Sequence, residues 1–188
     1  LEVALRSGRR ECAKVLMAHA GGLPIDLDLL KELSCLTVAA RAGCMDGIKH
    51  YLADPIFLDK DGCTELMMAV KNDHPECVEL LRPTRQCFVD GSGQTALLHA
   101  IKHAHPKCVR SLLTEAWIPN VHGQLPMTIM QQMIRDDRYS EDFYKACVEC
   151  NAILQKYSEY LQDLWDAVTA LDHSEMMRAL HTLRWDAG

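Results

Sequence analysis

The chain repeats itself. Residues 61–81, "DGCTELMMAVKNDHPECVELL", and residues 92–113, "SGQTALLHAIKHAHPKCVRSLL", superpose at a shift of 31, which pairs Gly62 with Gly93, Thr64 with Thr95, Leu66 with Leu97, Ala69 with Ala100, His74 with His105, Pro75 with Pro106, Cys77 with Cys108 and Val78 with Val109. Upstream, Ala39 falls in the register of Ala69, and Ala4 with Glu11-Cys12 falls in it once more; downstream, Gly123 and Met130 follow Gly93 and Ala100 by 30. A period of 30 to 35 residues is the mark of a stacked array, in which each unit buries its apolar face only against its neighbours.

Within one period the pattern is a turn, a short apolar helix, a break at Asp73-His74-Pro75 and a second helix carrying Cys77, Val78, Leu80 and Leu81. Proline suits the first helical position, whose N–H has no intrahelical acceptor anyway. The segments "FLDKDGCT", "FVDGSGQT" and "IPNVHGQLP" supply Asp, Asn and Gly for tight turns. No longer alternating strand pattern is present, so the expected class is all-α: a helical solenoid of about five repeats plus a C-terminal helical pair.

These residues resemble the ankyrin repeat family. The signature positions are held by Asp59, Gly62, Thr64, Leu66, Ala69, His74, Glu76, Val78, Leu80 and Leu81, and again by Asp90, Gly93, Thr95, Leu97, Ala100, His105, Val109, Leu112 and Leu113. Glu65 and Ala96 replace the family's Pro, and Met67 and Leu98 its His, which should soften the turn. By the resemblance, His74 and His105 would link the helices inside a repeat. After Met130 the register breaks at "RDDRYSEDFYKACV" and resumes about 12 residues late at Glu149–Leu154. The expected organisation is an array over 1–157 with a charged insertion near 134–146, then a capping-type helix pair over 158–188 that could open a further array.

Composition narrows the function. A net charge of −6 and a pI near 5.8 argue against a nucleic-acid partner, which needs clustered cations. No apolar run reaches the roughly 18 residues of a membrane span, so no membrane role is expected. Nine cysteines, an odd number spread among apolar residues, suit reduced thiols and a cytoplasmic location. The first residue is Leu, so the chain reads as part of a longer protein.

Candidate chemistry is sparse. The His-Pro-x-Cys pairs could offer two zinc ligands or an activated thiol, but Cys12, Cys77, Cys108 and Cys150 share one core register. Helices packed roughly 8–10 Å apart hold such thiols too far from each other for one zinc or a disulfide. "CVEC", Cys147 to Cys150, lacks the strand of a redox motif and the second pair of a zinc motif. Paired acids such as Asp136-Asp137 and Glu141-Asp142 sit in the polar insertion, and no glycine-rich phosphate cradle occurs. No catalytic residue, cofactor or metal is expected.

The resemblance implies a concave wall of turn tips and inner-helix ends that binds a protein. By register that wall holds Lys60, Asp61, Cys63, Lys71 and Asn72, then Ser92, Gln94, Lys102 and His103, then Val121, His122, Gln124 and Gln132. Arg6, Arg41, Lys71 and Lys102 occupy one position in four successive repeats, with Gln132 in the next, a basic stripe suited to an acidic segment. The expected function is a monomeric, non-enzymatic protein-binding module serving as adaptor, scaffold or targeting segment; the alternatives are a thiol- or zinc-dependent site at Cys147 and Cys150, or a passive spacer.

Overall fold

Apolar residues at helical spacing, cut every few turns by Gly, Asp or His-Pro, can only form short helices that pair. The computed structural model describes residues 35–136 and 138–169, without the side chains of residue 35 and residues 167–169. Its helices are α1 (Cys35–Ala42), α2 (Met45–Tyr51), α3 (Glu65–Lys71), α4 (Pro75–Arg85), α5 (Ala96–Lys102), α6 (Pro106–Ser111), α7 (Pro126–Ile134) and α8 (Glu141–Thr169), with a 3-10 turn at Leu113–Glu115. No strand occurs among the described residues, in keeping with the expected all-α class.

The helices form two layers. The inner helices α1, α3, α5 and α7 pack in sequence, as do the outer helices α2, α4, α6 and α8, and each inner helix also packs on its outer partner. The shared core runs through Leu36, Ile48, Leu66, Leu81, Leu97, Ile101, Leu112, Met130 and Leu154. Each fully buried leucine or isoleucine contributes roughly 1.5–3 kcal/mol.

Each junction follows from its residues. Thr64 and Thr95, fully buried, cap α3 and α5 by accepting the N–H of Met67 at 3.4 Å and of Leu98 at 3.3 Å. Inner and outer helices are joined through one left-handed residue, Gly43 (φ 69°), Asp73 (φ 53°) or Ala104 (φ 53°), which turns the chain before Pro75 or Pro106 starts the next helix. 

The last described pair departs from this pattern. The late register is absorbed in two extra residues of α7, a longer loop over 135–140, and two added turns at the start of α8. Ser140 Oγ accepts the N–H of Phe143 at 3.4 Å, and Glu141 and Asp142 favour the positive helix end, so α8 begins well before Glu149. From Glu141 to Thr169 there is neither Gly nor Pro, and α8 runs without a break across the 157/158 boundary expected from sequence. The first repeat, with Arg6 and Cys12, and residues 170–188 of the expected C-terminal pair lie outside the described residues.

Candidate functional site: the groove between hairpin tips and inner helices

Three successive turns are built on one side-chain oxygen each. Asp59 Oδ1 accepts the N–H groups of Asp61 (2.9 Å) and Cys63 (2.8 Å); Asp90 Oδ1 those of Ser92 (2.9 Å) and Gln94 (3.0 Å); Asn120 Oδ1 those of His122 (2.9 Å) and Gln124 (2.9 Å). The backbone closes each turn identically, as in Asp90 N–H to Gln94 O (3.0 Å) and Gly93 N–H to Asp90 O (2.9 Å). Gly91 N–H also donates to Asp61 O at 2.9 Å, tying one tip to the next, and a Cβ at Gly91 would lie only 2.9 Å from that oxygen.

Two recesses open where these tips face the ends of the inner helices. The first is lined by Lys60, Asp61, Cys63, Lys71, Asp90, Ser92 and His99 among others, the second by Ser92, Gln94, Lys102, Asn120, Val121 and His122. Lys60, Asp61, Ser92, Lys102 and His122 are exposed; Lys71 and Gln94 are half-buried. Arg41, Asn72, His103, Gln124 and Gln132 line neither recess. Asn72 donates to Met68 O at 2.8 Å, finishing its own helix, and Gln124 donates to Gln132 Oε1 at 3.4 Å. Cys63 does not belong to an exposed wall: it is 1% exposed, because the turn folds its side chain under the tip towards α5.

A buried polar cluster forms the floor of the first recess. Lys71 Nζ donates to Cys63 Sγ at 3.0 Å, the Cys63 thiol lies 4.0 Å from Asp90 Oδ2, and His99 Nε2 lies 2.8 Å from the same oxygen. Burial alone would raise the Asp90 carboxyl, but the hydrogen bonds from Gln94, Ser92 and His99 outweigh it and hold it at about 2. Burial, then the Lys71 ammonium, lowers His99 despite the carboxylate beside it, so neutral His99 donates Nε2–H to ionised Asp90. Burial raises the Cys63 thiol, and Lys71 opposes that rise. His103 stacks on His105 with ring centroids 5.7 Å apart, and is held low by burial, then by His105, Lys71 and Lys102.

The histidines of the His-Pro motif join the helices of their own repeat through the backbone, His74 N–H to Ala69 O at 3.0 Å and His105 N–H to Ala100 O at 2.9 Å, while their rings reach the preceding repeat. His74 Nε2 lies 3.2 Å from Arg41 O, and His105 Nδ1 lies 3.6 Å from Asp73 Oδ1, each in the preceding repeat. For His74 the physical reason is that a carbonyl at the end of an inner helix lacks an intrahelical donor, and the next repeat brings one; His105 meets a side-chain carboxylate instead. The cysteines of this register also pack across the interface, Cys77 Sγ 3.8 Å from Met45 Sδ and Cys108 Sγ 3.7 Å from Asp73 Oδ1. Cys147 and Cys150 are buried in the core on α8, where burial raises both thiols, Cys150 to about 12.

Two buried carboxylates were invisible to the sequence pattern. Glu65, in the slot of the family's Pro, is fully buried; its Oε1 accepts Phe57 N–H at 3.0 Å and its Oε2 lies 3.6 Å from Arg85 Nε, while Arg85 Nη2 donates to Asp54 O at 2.7 Å. Glu115, also fully buried, accepts Cys87 N–H and Leu97 N–H, both at 2.8 Å. The loops leading into the turns are therefore pinned by charge rather than softened.

Residues 36–122 match the family model described as ankyrin repeats (three copies). No curated protein matches the chain. Among the described residues no helix is long and apolar enough to cross a membrane. Together with the paired helices and the repeated turns, the match identifies residues 36–122 as an array of the ankyrin repeat family, with the fold of an all-α ankyrin-type solenoid.

Proposed function

We propose that this chain is a non-enzymatic binding module that takes an acidic segment of a protein partner into the groove. Ankyrin repeats are generally protein–protein interaction modules. The observation that carries the finer reading is the state of the stripe: no carboxylate of the described residues lies within ion-pair distance of Arg41, Lys71 or Lys102, although carboxylates outnumber cations in the chain. Cations without a close carboxylate partner along one register can steer an opposite charge, although Asp59, Asp61 and Asp90 also line the first recess. Lys71 projects into the first recess and Lys102 into the second, so an extended acidic segment crossing both tips meets both. On this reading the module is monomeric and cytoplasmic, does not bind nucleic acid, and serves as an adaptor, scaffold or targeting segment.

The experiment is an affinity capture with the double variant K71E/K102E beside the unmodified chain. Loss of acidic partners supports the groove, and an unchanged set of partners rejects it. A set lost instead on replacing Trp117 and Trp165, which are 55% and 64% exposed beside an apolar recess at the end of the array, would move the binding surface there.

A further inference from the structure

We propose that Cys63, Asp90 and His99 form a zinc site in the floor of the first recess. The three come from different segments: Cys63 from one turn, Asp90 from the next, and His99 from the middle of α5. Separations of 27 and 9 residues leave no spacing motif in the sequence, which is why no metal was expected. In the fold, one ligand atom of each lies within 4.8 Å of the others, and all three residues are buried.

The donor set suits zinc, which accepts thiolate, imidazole and carboxylate together. Bonds of about 2.3 Å to sulfur and about 2.1 Å to nitrogen and oxygen set tetrahedral edges of about 3.4–3.6 Å. The observed edges, 2.8 Å from His99 Nε2 to Asp90 Oδ2 and 4.0 Å from that oxygen to Cys63 Sγ, need changes of about half an ångström to match. Asp90 divides its work: Oδ1 holds the turn, whereas Oδ2 meets only His99 and Cys63. Zinc would displace the thiol proton to solvent, and His99 would carry its proton on Nδ1, leaving Nε2 as the donor to the metal. The fourth position faces the open recess, where water or a partner's side chain completes the tetrahedron.

Lys71 opposes the cation. Its ammonium occupies the sulfur at 3.0 Å, so zinc entry sends that flexible side chain outwards into the groove. This makes Lys71 a competitor of the metal, a relation that an adventitious surface site would not show. The proposal stands apart from the acidic-partner reading and survives its failure.

The test uses the metal-free chain with cobalt(II) as a spectroscopic probe and zinc in competition with a chelator. One cobalt per chain with a sulfur-to-metal charge-transfer band is expected, with the band absent in C63S and unchanged in C108S. Zinc affinity should fall by more than about tenfold in H99Q and rise several-fold in K71Q, in folded variants checked by circular dichroism. Absence of the band in the unmodified chain, its survival in C63S, or a zinc affinity indifferent to both H99Q and K71Q would overturn the site. Should C63S fail to fold, the opposite shifts of H99Q and K71Q still decide it.

Discussion

The turn at Asp90 and the turn at Asn120 have the same backbone hydrogen bonds but differ in charge, one built on a carboxylate and the other on a neutral amide. In both, one side-chain oxygen accepts two N–H groups two and four residues on, within 2.9 to 3.0 Å. They part at the second atom. Asp90 Oδ2 faces His99 and Cys63 inside the protein, whereas Asn120 Nδ2 donates to Gln124 Oε1 at 3.1 Å, and Gln124 passes the contact to Gln132. The fold requires a single acceptor at this position, so the other atom is free to carry either a buried charge or a neutral amide chain. The Asp90 turn is also pinned from below by Glu115, which bonds the loop entering it and the start of α5.

Removing that pin should have the largest effect. Glu115→Ala leaves the buried N–H of Leu97 and the N–H of Cys87, an exposed residue, without their acceptor, at a cost of about 2–4 kcal/mol in urea unfolding. Asp90→Ala should cost about 2–4 kcal/mol by the same mechanism, while Asn120→Ala, on a half-buried turn that water can reach, should cost about 1 kcal/mol. Equal losses at the two turns would erase the distinction between them.

Asp90→Asn is the finer probe, because it keeps the turn acceptor and removes the charge. Its loss at neutral pH should be about 2 kcal/mol, and it should remove an acid limb from the stability curve. The folded Asp90 carboxyl titrates at about 2 against an ordinary 3.8, so the folded state binds fewer protons in that window. The stability it contributes is complete above pH 3.8 and is lost as pH falls through about 2. Urea midpoints of the two proteins should therefore converge on acidification. The smallest effect lies near pH 6.5: His99 and His103 are both held below that value, so the unfolded chain takes up protons first and stability declines gently as pH drops past it.

Much of this architecture can be read from the chain, and the exceptions have physical causes. The repeated Gly-x-Thr and His-Pro positions carry the array because each is demanded by a backbone event: a left-handed glycine, a cap, a helix start without an N–H donor. Register also brings Lys71 and Lys102 to the two recesses. Register cannot say on which side of a tip a side chain lies, so Cys63 reads as exposed wall although it is buried. His99 and Glu115 escape notice because their meaning is tertiary: each acquires its partner only when the neighbouring turn or loop stacks on it. The early start of α8 was legible in Ser140-Glu141-Asp142, a cap followed by acids, but the lure of the Cys150 register points past it.

The central claim is that partners enter the groove over the basic stripe. It is tested most directly by mapping backbone amide shifts by NMR as an acidic peptide is titrated in at low salt. The account predicts perturbations centred on Lys71, Lys102 and the tips at Ser92 and His122, weakening as salt is raised. Shifts confined to the outer helices α4 and α6, or clustered around Trp117 and Trp165, would contradict it.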